Sequence, residues 1–165
     1  MRLTPESVAD EYRWVRDRAD VIVPLVNRVR ADLGDRFDTD VDEVTVEGYR
    51  REVAVVFADG DLAVNVAAFV GLLRDLDVKG DYPGFVADEL LGRQLAGMIA
   101  GNQPLGLLGE ATFHYADVMV HHEPDAEAAG VDDLDAALAA GFQTRLPGWD
   151  WTESESPFSV AQARE

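Results

Sequence analysis

Residues 44–64 read VTVEGYRREVAVVFADGDLAV, and the reading of this stretch decides the fold. Val44-Thr45-Val46 and Val53-Ala54-Val55-Val56-Phe57 are rich in β-branched side chains, which suit a pleated strand, and they lie on either side of Gly48. Asp59-Gly60 fits a tight hairpin turn. Leu62, Val64 and Val66 then alternate like a returning strand, while Leu62, Val66, Phe69, Leu73 and Leu76 also share one helical face. The reading adopted is a pair of antiparallel strands, then a strand start that gives way to helix by Ala67. The expected fold class is therefore α+β: a long N-terminal helical segment, a small antiparallel sheet and a helical C-terminal half.

Outward from this stretch the helical signals are plainer. Thr4 and Pro5 read as an N-cap and first-turn proline. Val8, Tyr12, Val15, Ala19, Ile22, Val26, Val29 and Leu33 recur at alternating steps of four and three, a helical stripe that ends at Gly34. Pro24 should kink or split that helix, because it lacks a donor and crowds the preceding turn. The stripe reads as core against the sheet, or as a seam for self-association centred on Val15 and Ile22. Phe85 to Ala100 reads as a further helix, with Ala96, Gly97, Ala100 and Gly101 as small residues for close packing. Residues 110–123 fit helix or strand. Asp132 caps a helix through Leu134 and Leu138 to Gly141. The expected domains are one α+β unit over 1–142 and an irregular tail over 143–165, where Pro147-Gly148 and residues 154–157 break periodicity.

Charge is the strongest compositional signal. The chain has 20 Asp and 12 Glu against 13 Arg and one Lys, Lys79, for a net charge of -18 on 165 residues. Such a surface repels itself in dilute solution, and screening shortens to about 3 Å in 1 M salt. Excess carboxylate, near-absent lysine and Ala/Val/Gly richness resemble the cytosolic proteins of salt-accumulating halophiles. The expectation is a cytoplasmic, halophilic protein that folds in molar KCl. With 47% hydrophobic residues, disorder is excluded as the general state. There is no cysteine, no apolar signal core at the start and no run of about 18 apolar residues. Duplex nucleic acid is a poor partner for a polyanion, since binding there relies on cations meeting phosphates. Residues 1–36 stand apart, with seven Arg and seven acids.

Two groups of residues carry functional expectations. The first is a metal set: on a helix, Glu110, His114, Asp117 and His121 fall at steps of four, three and four. Two imidazoles and two carboxylates suit one Zn, Mn, Fe or Ni ion. That makes a metal-dependent enzyme of hydrolase or isomerase class the alternative function, with one divalent ion as cofactor. On a strand the set would dissolve, because His114 and His121 would face opposite sides. Asp117 to His121 resembles the metal-bearing helix of DinB-like four-helix proteins. Those proteins draw another histidine from an earlier helix, and this chain has none before His114, so the family's properties are not carried over. Asp38 to Asp42 mimics the start of an EF-hand loop, but Glu43 and Tyr49 stand where Gly and Glu belong. Neither a phosphate-binding glycine pattern nor a GxSxG elbow is present. The second group is Trp149 and Trp151, two large aromatics in a polar tail, read either as a cap on the core or as an anchor for a protein partner. The leading functional expectation is contact with protein, as a homo-oligomer or accessory subunit, with no nucleic acid or membrane partner.

Overall fold

A computed structural model describes residues 2–76, 82, 86–101, 106–121 and 129–148, without the side chains of 88, 89, 106–108, 111, 121, 129 and 130. Helix α1, Pro5–Asp17, begins at Thr4, whose side chain accepts from the Ser7 amide while Ser7 returns the bond to the Thr4 amide. This reciprocal cap satisfies two of the free donors of the first turn. The chain breaks at Arg18 and continues as α2, Ala19–Phe37. The break falls six residues before Pro24, which is exposed and sits inside α2. Tyr49 buries its ring in the core and donates its hydroxyl to the Val15 carbonyl at 2.7 Å, just ahead of the break.

Residues 44–64 correct the expected fold class. Among the described residues there is no strand, so the protein is helical rather than α+β. Val46–Ala58 is α3 and Gly60–Asp75 is α4. Thr45 caps α3 by accepting from the Gly48 amide, and Asp59 caps α4 by accepting from the Leu62 amide. The dipeptide read as a hairpin turn is thus a helix cap. The valine run is helical because its buried members obey the longer period: Tyr49, Val53 and Val56 on α3, then Ala63, Val66, Val70 and Leu73 on α4. Core packing outweighs the modest β preference of valine.

A π-helical turn at Val86–Gly92 leads into α5, Arg93–Ala100. Helices α6, Gly106–His121, and α7, Ala129–Gln143, follow. Helix α7 is the hub, packed against α2 to α6 and the π-helical turn. From Leu134 to Phe142 it is buried on every side. Its alanines and Gly141 let neighbours approach closely; a Cβ on Gly141 would stand 2.8 Å from the Ile99 Cβ.

Arginines tie this hub to the other helices. Arg30 of α2 is buried and donates to the carbonyls of Gln143, Leu146, Pro147 and Asp42 at 2.6–3.1 Å. A cation here meets the electronegative end of α7. Arg18 holds Asp135 by two bonds, 2.9 and 2.8 Å. Arg18 and Arg74 both lie over the Trp14 ring, and Arg74 pairs with Glu11. Arg145 donates to the last turn of α5 at Ile99. A planar fork of donors makes such multiple ties, and an ammonium does not. This gives a physical reason for arginine to persist where lysine is nearly absent.

Candidate functional site

An open groove with an uncharged lining lies between α1 and α3. From α1 it is lined by Pro5, Val8, Ala9 and Tyr12, and from α3 by Ala54, Phe57 and Ala58. Its volume is about 390 Å³. The lining follows from two periodicities. On α1, Val15 turns inward while Pro5, Ala9 and Tyr12 share the next stripe. On α3, Tyr49, Val53 and Val56 are buried, which leaves Ala54, Phe57 and Ala58 along the groove. The rings of Tyr12 and Phe57 meet at 5.4 Å with a 49° tilt, and the Arg16 guanidinium covers the outer part of Tyr12 at 5.6 Å. Beside the groove Val55 is 54% exposed, and Leu3, just before the α1 cap, is 45% exposed. No charged side chain lines the groove.

A second cleft, about 310 Å³, lies between the start of α3 and residues 146–147. Charged side chains, Glu43, Arg51 and Glu52, stand in its walls beside Val44, Leu146 and Pro147. Nearby, Gly148 has φ 109, a conformation only glycine adopts easily, and its carbonyl accepts from the Asp42 amide.

The proposed metal ligands all lie on α6. The segment is helical through His121, as that reading required. Glu110 lies along Gly97 of α5, His114 is exposed and Asp117 is buried. At about 100° per residue, Asp117 lies about 60° round the helix from His114, enough to carry it into the core. The His121 side chain is outside the description. Among the described residues no three His, Asp or Glu side chains form a group suited to a metal ion. Val15 and Ile22 are fully buried inside their own chain. Trp149 and Trp151 lie outside the described residues.

The residues that sequence reasoning missed are Arg30, Arg18 and Tyr49. Arg30 had a readable signal, since it stands on the apolar stripe with Val26 and Leu33 at steps of four and three. The chemistry of Tyr49 is set by burial, which pushes its hydroxyl pKa well up; Asp135 adds to the rise and Arg18 opposes it. It is a hydrogen-bond donor, not a proton-transfer group.

The model of the family described as Domain of unknown function (DUF7984) matches residues 1–162. The chain belongs to this family. No curated protein and no solved structure matches it. Among the described residues no single helix is long and apolar enough to cross a membrane. Helices α3 and α4 pass that test only together, and they bend by 111°.

Proposed function

We propose that this chain is a non-catalytic contact protein of a salt-rich cytoplasm, and that it works by receiving an apolar protein surface in the α1–α3 groove. The observation that carries the reading is the groove itself: seven lining residues without a charge, in a chain of net charge -18. Exposed apolar surface gathered in one place marks contact sites, whereas single exposed leucines or valines mark nothing. Ala54 and Ala58 keep one wall low, so a helix can approach closely. Tyr12 and Phe57 offer an aromatic floor of the kind that anchors protein contacts.

The test is a photo-crosslinking amino acid at Ala54, with Asp35 on the exposed side of α2 as control. The crosslinked peptides are identified by mass spectrometry from the protein's own cells in molar KCl. One recurring peptide at Ala54, from this chain or another, is the expected result. An Ala54 pattern no different from that at Asp35 would overturn the reading.

A further inference from the structure

The face around this groove is electrically polar, and its polarity names an occupant. Helices α1 and α3 run antiparallel, because Tyr49 at the start of α3 meets Val15 near the end of α1, while Phe57 near the end of α3 meets Tyr12. One end of the face therefore gathers the start of α1 and the end of α3. It carries Glu6, Asp59 and Asp61 against Arg2, all exposed. The opposite end carries Arg16, Arg50 and Arg51 against Asp17, Glu43 and Glu47. Arg16 is already bonded to Asp17. Arg50 and Arg51 are exposed and meet no carboxylate among the described residues. Such a pair of unused arginines is unusual here, where Arg18, Arg30, Arg74 and Arg145 all make ties between elements.

We infer that the occupant is a second copy of this chain, paired about a two-fold axis that lies in the interface and runs across α1 and α3. This rests on the reading of the groove as a contact site. That axis turns the second copy end for end, so the acidic end of each face meets the Arg50–Arg51 end of the other. An axis along the helices would instead set acid against acid. Under the same operation the groove of each copy faces the groove of the other, and Val55 faces the partner's α3. The rest of the chain is more acidic and disfavours other pairings: residues 62–165 hold 17 acids, four of them buried aspartates, and five bases, whereas residues 1–61 hold 15 and nine. Two copies approaching through the second part would repel. The face is small. Two helices of 13 residues are each about 20 Å long, so they present roughly 400 Å² in projection. A standard interface takes about 800 Å² from each partner, so the pair is weak and reversible.

The experiment uses two variants of the full chain, Arg50→Glu with Arg51→Glu, and Glu6→Arg with Asp61→Arg. Each alone sets like charges opposite one another in the proposed pair; mixed, they restore opposite charges at both ends. Sedimentation equilibrium is run at the lowest KCl concentration that retains helical circular dichroism, at up to about 1 mM protein, where a pair with a dissociation constant of about 1 mM holds about half of the chains. The weight-average mass of the unaltered chain should rise to about one and a half times 18.0 kDa or more, each variant should stay near 18.0 kDa, and their mixture should recover the rise. Ala58→Asp, an exposed position in the groove wall, should also abolish pairing with unchanged circular dichroism. A monomeric unaltered chain overturns the second copy while leaving the contact reading to the Ala54 crosslink. Pairing that survives both charge variants overturns the geometry.

Discussion

Helix α7 and the α1–α3 face invert the usual distribution of polarity. Helix α7 is the most enclosed element, yet it takes Asp132, Asp133, Asp135 and Gln143 into the interior. The α1–α3 face is open, yet it leaves Ala54, Val55 and Ala58 exposed between its charged ends. Polar groups inside and apolar groups outside are the two observations that carry information about a fold. They teach different things. The buried carboxylate Asp135 is held by Arg18 at the break between α1 and α2, so it records how the helices are locked together. The exposed alanines and valine are covered by nothing among the described residues, so they point outward.

The sharpest way to break the inner half of this contrast is Arg30→Met. Four carbonyls would lose their donor, at about 1–3 kcal/mol for each group left bare, against a typical total stability of about 5–15 kcal/mol. In molar KCl this variant should show no cooperative urea transition by circular dichroism. Arg30→Lys keeps the charge without the fork, and should retain a transition at lower urea.

Removing Asp135 alone or Arg18 alone should cost about 3 kcal/mol each, because a buried charge is left without its partner. The double variant should cost less than the two together, and a double-mutant cycle by urea denaturation measures the difference. Strict additivity would mean that the two bonds contribute nothing to the lock.

Tyr49→Phe removes one buried hydrogen bond and should cost about 1 kcal/mol. The pH dependence has a defined sign. Burial raises the folded-state pKa of Tyr49 above the ordinary 10.0, so the folded protein holds this proton more tightly than the unfolded chain. Stability is complete below about pH 10 and declines as pH rises beyond it. The Phe variant should lose that part of the decline, and ultraviolet absorbance should show Tyr49 ionising only with unfolding.

The smallest effect belongs to the outer half. Val55→Ser should change stability by less than about 0.5 kcal/mol, the usual range for surface positions. A much larger loss in a dilute, monomeric sample would mean that Val55 belongs to the core, and the contrast would fail there.

Much of α1 and α2 was legible, because Thr4, Pro5 and the stripe from Val15 to Leu33 express capping and period directly. The expected sheet was an error of scale. Val53 to Phe57 has local β preference, but Tyr49, Val53 and Val56 form a helical row that continues beyond that window. Thr45 with Gly48 and Asp59 with Leu62 were readable as caps, and a turn was read in their place. Burial of α7 was hidden by its three aspartates, which look like solvated surface until a remote arginine is known to meet one of them. The groove was not legible, since it depends on which faces of α1 and α3 pack side by side.

Helix α7 is also the last of the described helices in chain order. The arginine ties reach across the sequence, from residue 30 to residues 143–147 and from residue 18 to residue 135. During synthesis α1 to α6 emerge before the element around which they pack. Until residue 147 has left the ribosome, Ile22, Val26, Val70 and Ile99 have no complete place to bury themselves. Closing such distant contacts is slow, and unburied apolar surface invites aggregation in the interval. A stalled chain ending before residue 129 is therefore a set of amphipathic helices without the element around which they pack.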